Sequence, residues 1–156
     1  STKLNTLNIL DYFYLNSSKD LFWTQMSADN QDFKYNELTE KIIEIFYRVY
    51  NKLGYGFLEK VYENAMMKEF KTADISAVSQ YAINVVYEDE IIGEYFADIL
   101  VDSKVIVEIK ASKSLAIENE AQLLNYLKAT EIEVGLLLNY GPKPDLKRKA
   151  FNNTRK

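Results

Sequence analysis

Three side chains between residues 98 and 110 could do chemistry together: Asp98, Glu108 and Lys110. They interrupt two apolar runs, Tyr95 to Val101 and Val105 to Lys110, which flank the break Asp102-Ser103-Lys104. Runs rich in Val and Ile around such a break read as a β-hairpin. A three-residue loop sets Val101 against Val105 and Asp98 against Glu108, with β-carbons about 4.5–5.5 Å apart. Glu108 and Lys110 share a face, because side chains alternate along a strand. Two opposed carboxylates repel, and their burial is unfavourable unless something pairs with them. A divalent cation resolves this, since hard cations such as Mg²⁺ take one or two carboxylates together with waters and substrate phosphates. Lys110 beside it would contact a phosphate or orient an attacking water. The plain alternative is a surface hairpin whose Lys neutralises one acid, and a single register slip turns Asp98 to the other face.

The remaining composition narrows the chemistry. The 156 residues include no Cys and no His. Disulfides, thiolate sites and Cys nucleophiles are excluded, as are the usual general base and the commonest nitrogen ligand. Any metal must be held by oxygen, which points to Mg²⁺, Mn²⁺ or Ca²⁺ rather than Zn²⁺. The net charge of −4 argues against broad non-specific nucleic-acid binding but leaves room for a local basic strip. One such strip is Lys143, Lys147, Arg148, Lys149, Arg155 and Lys156, opposed only by Asp145. It reads equally as a solvated tail or a phosphate-contacting arm. No basic-then-apolar leader opens these residues, and no apolar run approaches the roughly 20 residues that span a bilayer. A cytoplasmic location without a membrane partner is the expectation.

The elements that must position these side chains follow from periodicity. Residues 1–32, rich in Asn, Ser, Tyr and Leu, read as an accessory arm packing on the rest or on a second subunit. Residues 33–156 read as the main domain. Leu38, Ile42, Ile45, Phe46, Val49 and Leu53 predict a buried helix over Asn36–Leu53, with Asn36 as N-cap and Gly54 as stop. Gly54-Tyr55-Gly56 leads into a second helix, Leu58 to Phe70, with Leu58, Val61, Tyr62, Ala65, Met66 and Phe70 inward. Glu59 sits in its first turn, either complementing the helix dipole or adding a third carboxylate. Ala77–Tyr87, Ile91–Val101 and Val105–Lys110 predict an antiparallel meander, with Gly93 at a bulge. Ile117–Thr130 predicts a helix with Ala121, Leu124, Tyr126 and Leu127 inward and Gln122 sharing a face with Tyr126. Glu133–Asn139 predicts a buried strand reached by a parallel crossover. Leu146–Phe151 predicts a last short helix.

This order, with Asp98, Glu108-Ile109-Lys110 and Gln122, resembles the PD-(D/E)XK nuclease superfamily. More narrowly, Gly56-Phe57-Leu58-Glu59-Lys60-Val61-Tyr62 spells the signature of the small bacterial and archaeal GxxExxY proteins. The similarity runs from about Asn36 to Gly141. Gln122-Leu-Leu-Asn-Tyr126 matches the QxxxY signature of an exonuclease-like branch. Ala97 stands where Pro often precedes the Asp, and Tyr50 where the narrower family often carries His.

The resemblance implies a mixed α/β (α+β) fold with a restriction-endonuclease-like core, a central mixed four-stranded sheet flanked by helices in the order α-α-β-β-β-α-β. It implies that Asp98 and Glu108 bind Mg²⁺ or Mn²⁺, with the Ile109 carbonyl and Glu59 completing the ligands. Lys110 would position or activate the nucleophilic water. Gln122 and Tyr126 would lie beside the site and orient Lys110 or the strand being cut. Lys113 and the bases Lys147, Arg148 and Lys149 would contact backbone phosphates. The expected activity is metal-dependent cleavage of nucleic acid, with DNA as substrate. The alternatives are a silent binding scaffold on the same fold and a homodimer completed by the arm.

Overall fold

The computed structural model describes residues 34–156. The expected accessory arm over residues 1–32 lies outside the described residues. Helix α1 spans Asn36–Leu53, and its apolar stripe buries Ile42, Ile43, Ile45, Phe46, Tyr47, Val49 and Tyr50. Its start differs from expectation. Tyr35, at φ 59°, is the N-cap and Asn36 is already helical. The Thr39 hydroxyl instead donates to the Asn36 carbonyl at 3.0 Å. Gly54 ends the helix at φ 66°, a conformation only glycine adopts without strain, and its N–H donates to the Tyr50 carbonyl at 2.8 Å.

Helix α2 spans Glu59–Thr72 and buries Tyr62, Glu63, Met66 and Phe70. Leu58 and Val61, expected inside, are exposed at 81% and 39%. The helix is turned about its axis so that Tyr62 anchors the connection before it. Its hydroxyl donates to the Gly54 carbonyl at 2.7 Å and accepts from the Phe57 N–H at 3.3 Å. Its ring stacks on Tyr140, with centroids 4.0 Å apart.

The strands are β1 (Ala77–Tyr87), β2 (Glu90–Val101), β3 (Val105–Lys110), β4 (Val134–Tyr140) and β5 (Pro144–Ala150), and helix α3 (Ile117–Lys128) links β3 to β4. They form one mixed sheet in the order β1-β2-β3-β4-β5. Only β3 and β4 pair in parallel, as a strand–helix–strand crossover requires. The fifth strand corrects the expected four-stranded sheet and the expected helix at Leu146–Phe151. Without it, the buried strand β4 would present unpaired backbone groups along one edge. Pairing from Val134↔Ala150 to Tyr140↔Pro144 satisfies them, and the charged run Lys147-Arg148-Lys149 suits an exposed edge.

The sheet separates two cores. Ile99, Val101, Val107, Ile109, Leu136 and Leu138 pack against α1 and α2. Leu100, Ile106 and Leu137 pack against Leu123, Tyr126 and Leu127 of α3. The inward residues of α3 are therefore Leu123, Tyr126 and Leu127, while Ala121 is exposed and Leu124 half-buried. Gly135 lets α3 come this close, since a β-carbon there would lie 2.6 Å from Leu123 Cδ1. No helix among the described residues is long and apolar enough to cross a membrane.

Candidate active site

The hairpin between β2 and β3 has the expected register from Val101↔Val105 to Ile99↔Val107, but the expected Asp98–Glu108 pair is not a rung of the ladder. Asp102 and Ser103, at φ 50° and 55°, make the turn, and the Lys104 N–H donates to the Val101 carbonyl at 2.9 Å. Val101 pairs with Val105, Leu100 with Ile106 and Ile99 with Val107. There the ladder between the two strands stops. Side chains make the next step: the Asp98 N–H donates to Glu108 Oε1 at 3.0 Å, and the Ile109 N–H donates to Asp98 Oδ2 at 2.7 Å. Each carboxylate thus stands in for a missing backbone carbonyl.

The alternation of β2 is also broken at this point. Ala97 and Leu100 both join the α3 core, while Ile99 between them joins the other. Opposite Asp98, between the pairs Ser79↔Ile99 and Tyr81↔Ala97, Gln80 adopts φ 55° inside a strand. Non-glycine residues in that region are strained, and such strain collects at functional sites. The Gln80 amide donates to both oxygens of Glu63, at 3.1 Å each.

Burial dominates the electrostatics. Glu108 is only 4% exposed. Loss of solvent, then the Asp98 charge, push its carboxyl up to about 8, against the opposing pull of the Asp98 N–H and of Lys110. Asp98 is raised too, by burial first and then by Glu63 and Glu59, with the Ile109 N–H and Lys110 acting the other way. Lys110, half-buried at the end of β3, is the cation that both carboxylates feel. The chain leaving it is clasped by β4. Asn139 accepts from the Ser112 N–H and donates to the Ser112 carbonyl, both at 3.0 Å. Gly141 makes room for this, since a β-carbon there would lie 2.4 Å from the Ser112 carbonyl oxygen.

Tyr126 lies beside the carboxylates from α3. Burial, then the Glu108 and Asp98 charges, push its hydroxyl up to about 12. Gln122 is half-buried one turn earlier. Glu59 is exposed at the start of α2, and its charge reaches both Asp98 and Glu108. Among the described residues, no three His, Cys, Asp or Glu side chains converge as a metal cluster. The structure therefore brings Asp98, Glu108, Lys110 and Tyr126 together and keeps Glu59 outside the carboxylate pair. Lys113 is exposed just past β3. On β5, Lys147 pairs opposite Leu137, a residue of the α3 core, and Lys149 binds Glu120 of α3 at 2.7 Å. These two bases share the site's face, two strand spacings or about 10 Å from β3. Arg148 is on the opposite face, with Nη2 donating to the Lys34 carbonyl at 2.6 Å.

Glu63, Gln80 and Asn139 escaped the sequence reading. Glu63 had a weak signal, four residues after Glu59 and three after its ion-pair partner Lys60 on the same helix, but its burial at 4% exposure and its contact with Gln80 belong to the tertiary fold. The donor set fits a hard divalent cation. Two oxygen-only ligands, Glu108 buried and Asp98 half-buried, share one place, and a double positive charge offsets their mutual repulsion.

No curated protein matches the chain. A solved structure described as "Crystal structure of SSO0001" is similar, with a TM-score of 0.47 and 18% identity over 60% of this chain and 50% of its own. The chain thus spans about half the length of that structure. The family model of the PD-(D/E)XK nuclease superfamily matches residues 36–150, from the first residue of α1 to the last of β5. That match covers most of the chain and takes in the β2–β3 hairpin with both its carboxylates, and the chain belongs to the PD-(D/E)XK nuclease superfamily.

Proposed function

We propose that the chain is a divalent-cation-dependent phosphodiesterase that cuts nucleic acid, with DNA as substrate. Within its superfamily we place it among the GxxExxY proteins, on the segment Gly56 to Tyr62. One observation carries the reading. At the break in the β2–β3 ladder a buried carboxylate, Glu108, and a half-buried one, Asp98, are fixed together by backbone N–H groups, next to one ammonium. A structural ion pair needs one acid, not two with raised proton affinity.

Asp98 and Glu108 would hold Mg²⁺ or Mn²⁺ with the Ile109 carbonyl, and Glu59 would add its charge from α2. A bound cation supplies a more acidic water and charge stabilisation at the phosphate. Lys110, aimed by the Asn139–Ser112 clasp, orients the attacking water or holds a phosphate oxygen. Tyr126 keeps its proton at neutral pH and so acts as a hydrogen-bond donor, not a base. Gln122, one turn away, steadies Lys110 or the strand. Lys113, Lys147 and Lys149 contact backbone phosphates, while Arg148, on the opposite face, serves the fold.

The test separates cation from cleavage. Lys110→Ala retains Mn²⁺ binding by calorimetry and loses cleavage by 100-fold or more, on the order expected for a proton-handling group. Asp98→Asn with Glu108→Gln loses both. Cleavage by Lys110→Ala at the wild-type rate overturns the mechanism. A silent binding scaffold is the second reading, favoured by one observation: both carboxylates already have structural work as acceptors in the sheet.

A further inference from the structure

Beside the carboxylates lies a cavity of about 820 Å³ between α3 and the outer part of the β1–β2 hairpin. Tyr126 is its common wall with the site, since the same side chain lines the cavity and feels the Glu108 and Asp98 charges. Opposite stands Tyr95, 47% exposed, with its ring centroid 5.9 Å from that of Tyr126 at a tilt of 48°. Three carboxamides also line the space: Asn84 on β1, and Gln122 and Asn125 on α3. The charges at its wall, Glu118 and Lys128, are one of each sign, so it is not an anion pocket.

The backbone here is shaped for the ring. Val85 pairs with Gly93 but Val86 pairs with Ile91, which leaves Ile92 as the extra residue of a β-bulge. Bulges re-aim side chains and recur next to active sites. A β-carbon on Gly93 would lie 3.0 Å from Tyr95 Cε2. The glycine therefore gives the Tyr95 ring its place along the strand.

We propose that this cavity receives one unpaired nucleobase of the nucleic-acid strand, stacked on Tyr95 and read along its edge by Asn84 and Asn125. This rests on the nuclease reading of the neighbouring site and names its substrate class: a strand with an unstacked base, at an end, a gap or in single-stranded form. The chemistry matches. Every base has a π-face for an aromatic ring, and its edge carries donors and acceptors that a carboxamide, with both, can meet. The volume lies within the usual range of small-molecule pockets and leaves room for the sugar.

The experiment is fluorescence anisotropy with two labelled strands of equal length and charge, oligothymidine and an abasic polymer, in EDTA so that neither is cut. The wild type binds the base-bearing strand about tenfold more tightly than the abasic one, as expected for one stacked base. Tyr95→Ala abolishes that preference and leaves abasic affinity unchanged, and Tyr95→Phe restores it. Asn125→Leu weakens it severalfold. Equal wild-type affinity for the two strands, a preference that survives Tyr95→Ala, or no binding of either strand overturns the base pocket. Mn²⁺ binding and cleavage by the wild type are read in parallel. If the wild type binds Mn²⁺ and cuts but shows no preference for the base-bearing strand, the pocket fails and the nuclease reading stands. If the wild type neither cuts nor binds Mn²⁺, the nuclease reading fails as well.

Discussion

Glu108 is the residue on which stability and chemistry oppose each other. Its folded carboxyl titrates at about 8 against an ordinary value of 4.5. Between those values the folded chain holds a proton that the unfolded chain has lost. Stability of the cation-free protein therefore falls as pH rises through this window, by at most about 1.4 kcal/mol per pH unit. Asp98, raised as well, acts with the same sign. Glu108→Gln keeps an acceptor for the Asp98 N–H and carries no charge. Its melting temperature should exceed that of the wild type increasingly from pH 5 to pH 8 and converge with it near pH 4. Thermal melts across that range in EDTA decide the matter, and parallel curves for the two proteins would show that Glu108 is not the strained group. Added Mn²⁺ should lift the wild type alone.

At the scale of elements, α3 must be pressed onto the sheet for Tyr126 and Gln122 to reach the site, and Gly135 allows it. Gly135→Ala overpacks Leu123 and should destabilise by about 1–3 kcal/mol, with cleavage reduced more than the fold. Adding Leu123→Val should recover part of both, as melting and cleavage assays would show. The sequence made the β2–β3 hairpin legible because its apolar runs, its turn and its two acids all imply one register. It made α1 legible through a strong stripe. It misled on α2, because an anchor made by one tyrosine hydroxyl outweighs a stripe of aliphatics at Leu58 and Val61. It misled on β5, whose residues resemble a polar helix and whose strand form is set by the open edge of β4. Of the candidate site, Asp98, Glu108 and Lys110 were readable. Gln80, Glu63 and Asn139 were not, since each owes its place to a partner at least 17 residues away in sequence.

Across the whole molecule the balance of charge is negative, yet the site's face carries Lys147 and Lys149, and Lys113 is exposed in the loop just past β3. The three phosphate contacts proposed for these lysines would give a shallow dependence of affinity on salt. The slope of log K against log salt on duplex DNA should be about −3, since each neutralised phosphate contributes about −0.9. Lys113→Gln with Lys147→Gln should reduce it by about 2, whereas Arg148→Gln on the opposite face should not change it. Anisotropy titrations between 50 and 200 mM salt, a range chosen from the usual span of such measurements, give the slopes directly. A slope unmoved by the double substitution would place the strand elsewhere on the molecule.

The two hydrogen bonds that bridge β2 and β3 at Asp98 and Glu108 bear on how such a protein would age in evolution. A descendant released from cutting nucleic acid would still need acceptors for the Asp98 and Ile109 amides, so selection on folding alone would hold both positions to Asp, Glu, Asn or Gln. Lys110 serves the fold only by offsetting those two charges, a duty that lapses once the acids become amides, and would drift first. In this lineage the lysine, more than either acid, is the fossil by which a living enzyme is told from a retired one.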